Sequence, residues 1–294
     1  MRRVTVEAYA KVNLGLAVGK AREDGFHEIE TVFQSVSLAD TVEIERADQA
    51  GPGVTLRVSG LPAPPGQDNL AFAAAEAARD ELGAPPVAVG LHKRIPIAAG
   101  LGGGSADAAA VLKGVDALFD LRTPLEHLKD MAARLGSDVP FMLQGGTAHG
   151  TGRGELTEGL PPLSGVWFVL ATPDFGVSAA EAYRTARIGL TGPRSFIRVN
   201  CSAIREGDIP ALIEGLRNDL EAGVVLARPE VAVVKHALLE AGASAAVMSG
   251  SGPTVLGVVR GEEEGRSTAS RLAGRGWNIN VVAPVGAGQH ITSE

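Results

Sequence analysis

Gly100, Gly102, Gly103 and Gly104 crowd into five positions of the stretch Lys93-Arg94-Ile95-Pro96-Ile97-Ala98-Ala99-Gly100-Leu101-Gly102-Gly103-Gly104-Ser105-Ala106-Asp107. Before them, Val87, Val89, Leu91 and Ile95 alternate as in a half-buried strand. After them, Ala108, Val111, Leu112, Val115, Leu118 and Phe119 recur on one helix face. Glycines between a strand and a helix start let the backbone take positive φ and let a ligand reach its N–H groups without meeting a Cβ. The helix start adds unpaired donors and the positive end of the helix dipole. The chemistry this favours is anion binding, most often of phosphate. A turn that only packs a helix on a sheet is the other reading. The loop fits neither common nucleotide fingerprint. A Walker loop needs Lys-Ser/Thr after its last glycine, and Ser105-Ala106 stand there. A dinucleotide fingerprint needs a small residue, normally Gly, where Ser105 stands, and a first strand that opens the fold. On the anion reading, a side chain at Gly103 is expected to block the phosphate.

Other residues have chemistry to offer. Lys11 and Asn13 share one face of the strand Ala8-Tyr9-Ala10-Lys11-Val12-Asn13-Leu14. They read either as a strand break with a Lys reaching for water, or as a polar floor among apolar neighbours. Gly25-Phe26-His27-Glu28 puts an aromatic ring and an imidazole at a turn, a pairing suited to a flat heterocycle. It is not a zinc signature, because Thr31 stands where a second His is needed. Asp138, in Gly136-Ser137-Asp138-Val139-Pro140-Phe141, is either the cap of a short helix or a carboxylate held as a general base. Gly145-Gly146 and Gly150 to Glu155 are turn material able to line a site. Ser249-Gly250-Ser251-Gly252-Pro253-Thr254 is a second glycine-rich loop, able to approach another domain or a phosphate.

These residues belong to a chain of 294 residues, 45% of them hydrophobic, long enough for one large or two ordinary cores. A net charge of −7 argues against a broad nucleic-acid footprint and leaves room for a small phosphorylated ligand. One cysteine, Cys201, excludes an internal disulfide framework and fits a reducing compartment. Met1-Arg2-Arg3 runs directly into Val4, Val6 and Ala8, so no apolar signal segment is expected. No apolar run reaches membrane-span length. A cytoplasmic protein with no membrane partner is the expectation.

The elements that must position these residues follow from periodicity. Strands are expected at Val4 to Ala10, Val12 to Val18, Thr41 to Arg46, Val54 to Val58 and Val87 to Ile95. Asp68 is placed as the cap of an alanine-rich helix running to Gly83. Thr123-Pro124-Leu125-Glu126 reads as a capping box for a helix burying Leu125, Leu128, Ala132 and Leu135 and ending at Gly136. The pattern breaks around Gly159 to Leu163, which predicts domains at 1–160 and 161–294. Beyond the break come strand Val166 to Ala171 and the capping box Ser178 to Glu181, with Tyr183 just inside its helix. Helices Ile209 to Glu221 and Glu230 to Ala241 follow, then strands Ala245 to Met248 and Val255 to Val259. A helix Glu262 to Ala273 and a last strand Asn278 to Val282 close the set. Strands and helices mix without regular alternation, so the fold class is α+β rather than doubly wound.

In this order, Ala10 to Leu14, Pro96 to Ala106 and Ser249 to Thr254 resemble the three signature motifs of the GHMP small-molecule kinases. Within that superfamily, Gly25-Phe26-His27, Gly102 to Asp107, Ser137 to Phe141 and Asn218-Asp219-Leu220-Glu221 look like the family that phosphorylates 4-diphosphocytidyl-2-C-methyl-D-erythritol in the non-mevalonate isoprenoid pathway. That resemblance implies an S5-like N-terminal domain, a ferredoxin-like C-terminal domain, and ATP with Mg2+ as cofactors. It implies that Pro96, Ile97, Ala98, Ala99, Gly100, Leu101, Gly102, Gly103, Gly104, Ser105 and Ala106 hold the ATP phosphates. It makes Lys11 and Asp138 the catalytic pair and puts Asn13 and His27 on the substrate. Phe26 and Tyr183 are expected to sandwich the cytosine. No metal ligand in the chain is implied. The family usually carries Tyr where Phe26 stands; Phe keeps the stacking face and loses a hydroxyl. Competing readings are a related kinase for mevalonate, homoserine or a sugar, and a non-catalytic module, since S5-like domains also occur in RNA-binding proteins.

Overall fold

The computed structural model describes residues 2–47, 53–186 and 195–293. Two long antiparallel strands, β1 (Arg3–Ala21) and β2 (His27–Arg46), lead the chain. They are followed by β3 (Val54–Gly60), α1 (Leu70–Leu82), β4 (Val87–Lys93), α2 (Gly103–Phe119), α3 (Leu125–Leu135), α4 (Val139–Gln144), β5 (Thr147–Thr151) and β6 (Leu156–Gly159). Next come β7 (Trp167–Thr172), α5 (Ala179–Thr185), α6 (Ser195–Glu206), α7 (Ile209–Glu214), β8 (Arg217–Asn218), α8 (Glu221–Ala227) and α9 (Glu230–Glu240). The hairpin β9 (Ala245–Met248) and β10 (Val255–Val259), then α10 (Glu262–Arg271), β11 (Asn278–Val282) and β12 (Gln289–Ser293), complete the described elements. None of the described helices is long and apolar enough to cross a membrane.

The first sheet has the order β12-β1-β2-β4-β3, with β5 also on β2, β6 on β5 and β8 on β1. The second is antiparallel, in the order β11-β7-β10-β9. Counted within that unit the order is 4-1-3-2, with helices between its first and second and its third and fourth strands, which is the ferredoxin-like arrangement. β8 and β12 both pair with β1, so the first sheet draws strands from both sides of residue 160.

β1 explains where a site can form. The sequence predicts a break at Lys11, yet the ladder runs through it, Lys11 opposite Ser35. Register shifts at Tyr9/Ala10 and Asn13/Gly15 bend the strand without ending it. Up to Tyr9, buried and half-buried residues alternate, as on a sheet covered on one face; from Ala10 to Gly19 every residue is buried. Val4, Val6 and Ala8 join the core under α1 and α2. Ala10, Val12 and Leu14 join a different core, built with Phe168, Leu170, Leu256 and Val258 of the second sheet. The alternate residues of that sheet, Val169, Ala171, Val255 and Val259, pack against α9 and the end of α10. One strand thus passes from one core into the next, and Lys11 and Asn13 lie at the crossing.

Several expectations are corrected. Asn69, not Asp68, caps α1, its Oδ1 accepting from Ala71 N at 3.0 Å. No side chain caps α3, and Leu125 is 46% exposed, its place in the core taken by Met131. The helix expected over Ile209 to Glu221 is split by β8, which pairs in parallel with Gly15 and Leu16 of β1. α6, β5, β6 and β12 were not anticipated. In β12 only Gln289 is buried, so no apolar alternation marks it.

α2 sits tightly on the sheet because Gly114 has no side chain. A Cβ there would overlap Ile44 Cδ1 and lie 3.2 Å from Val6 Cγ2, both in the first core. Gly114→Val should therefore cost about 1–3 kcal/mol through overpacking, read as a lower urea midpoint. An unchanged midpoint would show that α2 has room to shift.

Candidate active site

Lys11 and Asn13 are 4% and 3% exposed. The Lys11 ammonium donates to Asn13 Oδ1 at 2.8 Å and stands 3.3 Å from Asp138 Oδ2. Asn13 Nδ2 donates to Thr31 Oγ1 at 2.8 Å, and Thr31 Oγ1 in turn donates to Gly15 O at 2.5 Å. This chain fixes the Asn13 amide with its oxygen toward the lysine. Asp138 occupies the cap position of α4 but makes no side-chain bond to that helix. Of the two readings of Asp138, the geometry favours a carboxylate turned toward Lys11 over a helix cap.

A cavity of about 650 Å³ opens over this pair. Its walls include Asn13, Phe26, His27, Asp138, Arg153 and Tyr183 at one end and Ala98, Ala99, Gly100, Gly102, Gly104 and Ser105 at the other. Phe26 and His27 lie at the β1–β2 turn, which Gly25 makes at φ +83°. Tyr183 is brought opposite them by α5, whose start is capped by Ser178 Oγ accepting from Glu181 N at 3.1 Å. The rings of His27 and Tyr183 are stacked, centroids 5.5 Å apart at 12°. That spacing leaves no room for a base between those two rings. The Phe26 ring, also on the cavity wall, carries the Arg153 guanidinium at 4.8 Å. Burial foremost, then the charge of Asp138, pushes the Tyr183 phenol well above its ordinary pKa. Tyr183 therefore stays neutral.

The glycine loop divides its residues between the cavity and the cores. Ala106 N is the first to bond back into α2, to Gly102 O at 2.9 Å. The N–H groups of Gly103, Gly104 and Ser105 thus have no partner inside the helix. Leu101 and Ala106 are buried in the two cores, Ile97 is 49% exposed, and Pro96 and Gly103 do not line the cavity. A Cβ on Gly103 would point away from the cavity, at Ile95 Cγ2 (2.9 Å) and Lys93 Nζ (3.3 Å). The expectation that a side chain there blocks phosphate is corrected: Gly104 is the position whose side chain would enter the cavity. Gly102, at φ +68°, has no room for a side chain: an added Cβ would overlap Met142 Cε and lie 3.1 Å from Lys11 Cγ. Gly145 and Gly146 pack against Gly286 to Gly288 and take no part in the site.

Residues 69–146 match the model of the GHMP kinases N terminal domain, and residues 202–277 that of the GHMP kinases C terminal. The chain is 48% identical to 4-diphosphocytidyl-2-C-methyl-D-erythritol kinase of Moorella thermoacetica, over 92% of this chain and 94% of that one. It is 45% identical to the enzyme of the same name from Pelotomaculum thermopropionicum, over 91% and 93%. The chain belongs to the 4-diphosphocytidyl-2-C-methyl-D-erythritol kinase family. A crystal structure of 4-(cytidine 5'-diphospho)-2C-methyl-D-erythritol kinase superposes with a TM-score of 0.79 at 35% identity, covering 95% of this chain and 99% of that one. Homoserine kinase from Cytophaga hutchinsonii superposes with a TM-score of 0.78 at 18% identity, over 99% and 98%, a likeness of fold alone.

Two supports of this kinase's cleft escaped the sequence reading. Beneath the glycine loop, Lys93 Nζ pairs with Asp40 and, at 2.6 Å, with Asp107. Asp40 Oδ1 also accepts from Ile95 N at 2.9 Å. This cluster, at most 2% exposed, ties β2, the end of β4 and the N-terminal part of α2 together. Burial foremost, opposed by Lys93 and reinforced by Asp40, pushes the Asp107 carboxyl up to about 7. The second support is Asn218, whose Nδ2 donates to Met248 O at 2.8 Å and Gly250 O at 2.7 Å. Ser249 Oγ donates to Gly100 O at 3.0 Å, so the Ser249 to Thr254 loop bears on the glycine loop. Asp107 and Asn218 were in view as motif letters; their partners lie far off in sequence.

The cluster makes a prediction with a sign. Asp107 holds its proton more tightly folded than unfolded, so its contribution to stability falls as pH rises from 3.8 to about 7 and is level above. Asp107→Asn removes that loss, and its melting temperature relative to wild type should climb across this window. A difference that does not vary with pH would contradict the assignment. Lys93→Met leaves buried carboxylates unpaired and should cost about 3–5 kcal/mol.

Proposed function

We propose that the protein transfers the γ-phosphoryl group of ATP to the 2-hydroxyl of 4-diphosphocytidyl-2-C-methyl-D-erythritol, giving the 2-phosphate, a step of the non-mevalonate isoprenoid pathway. The observation that carries this reading is the Lys11–Asp138 pair, 3.3 Å apart, between a helix-start glycine loop and an aromatic end in one cavity. ATP lays its phosphates on the N–H groups of Gly104 and Ser105, which line the cavity and where the dipole of α2 favours negative charge. The cytosine lies at the His27–Tyr183 end, with Phe26 beside it. Asn13 and His27 hold the substrate in place. As the hydroxyl oxygen attacks the γ-phosphorus, Asp138 accepts its proton and the bond to the β–γ bridging oxygen breaks, the electron pair leaving with ADP. Lys11 keeps Asp138 ionised and stabilises the charge developing on the oxygen. Catalysis of this kind rests on positioning and charge.

Among the described residues, no group of three or more His, Cys, Asp or Glu gathers as a cation cage. Mg2+ is expected to arrive with ATP, held mainly by phosphates and water, where it would offset phosphate charge. The partner is a small molecule rather than a nucleic acid or a membrane. A reducing cytoplasm is the location this reading expects, in keeping with a single cysteine, Cys201. The cleft falls between domains divided near residue 160.

Given equal ATP, 4-diphosphocytidyl-2-C-methyl-D-erythritol should be phosphorylated rapidly, and mevalonate and homoserine should not, measured by ADP release. Equal turnover of mevalonate would overturn the reading. His27→Ala should raise KM for the cytidine substrate roughly tenfold to a hundredfold, the cost of a base left without its hydrogen bonds. An unchanged KM would put the cytosine elsewhere.

A further inference from the structure

Strand β9 is an edge of the second sheet, paired with β10 on one side only. An edge strand presents N–H and C=O groups without ladder partners on its free side. At the last residue of β9, Met248, both groups are taken by side chains from the end of β8 and the start of α8. Glu221 Oε2 accepts from Met248 N at 2.9 Å, and Asn218 Nδ2 donates to Met248 O at 2.8 Å. A carboxylate and an amide thus stand where a neighbouring strand would supply a carbonyl and an N–H. The other carboxylate oxygen of Glu221 pairs with Lys235 of α9, and the Glu221 side chain is only 17% exposed. Glu221 and Lys235 line a cavity of about 510 Å³ that is separate from the one over Lys11. Glu221 therefore reaches no reacting group itself, and any effect it has on the chemistry passes through β9.

The loop that follows β9 gives this grip its consequence. Asn13 N donates to Ser249 Oγ at 3.3 Å. Gly250, two residues past Met248, packs on the side chains proposed for the chemistry. A Cβ there would lie 3.1 Å from Lys11 Nζ, 3.2 Å from Asn13 Oδ1 and 3.0 Å from Gly100 O. A shift at the end of β9 would thus press backbone against the ammonium and the glycine loop together. We propose that Glu221, held by Lys235, is a positioning residue for phosphoryl transfer. It fixes the end of β9, and with it the loop that packs against Lys11, Asn13 and Gly100. The inference rests on the roles given above to Lys11 and the glycine loop. A hydrogen bond to an ionised acceptor is of the stronger kind, suited to holding the free side of an edge strand. Misplacement by about 1 Å, caused far from the reacting atoms, can slow a reaction about 10²-fold.

The test compares kcat and KM of variant and wild type by ADP release, with whichever alcohol of the panel above wild type phosphorylates. Glu221→Ala should lower kcat about 10²-fold, with KM for ATP and for the alcohol little changed. Glu221→Gln keeps an acceptor for Met248 N and should restore most of that loss. Hydrogen exchange of residues 245–254, followed by mass spectrometry without substrate, should quicken in Glu221→Ala and stay near wild type in Glu221→Gln. A merely structural role predicts a lower melting temperature with kcat of the folded protein unchanged, and that result overturns the proposal. So does wild-type exchange of the segment in Glu221→Ala, or a Glu221→Gln variant as slow as Glu221→Ala. If Glu221→Ala does not fold, Lys235→Met loosens the carboxylate without removing it, and should show slower turnover with faster exchange; wild-type values of both overturn the proposal. If wild type phosphorylates mevalonate or homoserine instead of the cytidine compound, the substrate assignment fails, while the ratio for Glu221→Ala still decides the role of Glu221.

Discussion

A buried ammonium is the constraint around which the cleft is organised. Lys11 is carried 4% exposed into the seam between two cores, where an unpaired charge is costly. Its stability depends on acceptors supplied from elsewhere: Asn13 Oδ1 on the same strand face, and Asp138 at the start of α4. That demand explains why Asp138 stands at a helix start without capping it. Gly102, at φ +68°, leaves room beside the lysine stem, where an added Cβ would meet both Met142 and Lys11. The pair needed for chemistry is thus also one the fold needs.

The same seam joins the two sheets. Beyond Ala10, β1 is covered on one side by the second sheet, whose Phe168, Leu170, Leu256 and Val258 meet Val12 and Leu14. The loop between β9 and β10 is therefore brought onto the glycine loop, where Thr254 N donates to Ala99 O at 3.3 Å. Asn218 holds the carbonyls of Met248 and Gly250 from behind. Lys93, Asp40 and Asp107 hold the opposite wall. Each wall is fixed by a polar cluster whose members come from separated segments, as a preorganised site requires.

Much of this was legible in the sequence, for identifiable reasons. The glycine loop announced itself because a positive-φ turn before a helix restricts residue choice sharply. Lys11 and Asn13 stood out because polar residues interrupt an apolar strand. Strands β9, β10 and β11 were read with their observed bounds, β9 and β10 as short apolar runs and β11 from the alternation of Asn278 and Asn280 with Ile279 and Val281. What failed was direction and long-range pairing. Periodicity does not reveal that β1 crosses between cores, so Lys11 looked like a break. Composition does not say which way a Gly103 Cβ points, and it points at Ile95. The partnership of Arg153 with Phe26 is set by two turns meeting in space. β12 is mostly polar and exposed beyond Gln289, leaving no pattern to read.

The role of Asp138 is where the chemistry and the fold meet, and one substitution separates them. Asp138→Asn keeps the shape and the contact with Lys11 while removing the proton acceptor. Turnover of the cytidine substrate at saturating ATP should then fall by roughly 10²–10⁴-fold, the usual contribution of a positioned base, with ATP affinity little changed by calorimetry. Near-normal turnover in that variant would contradict the assignment, leaving Asp138 as a partner that only keeps Lys11 buried.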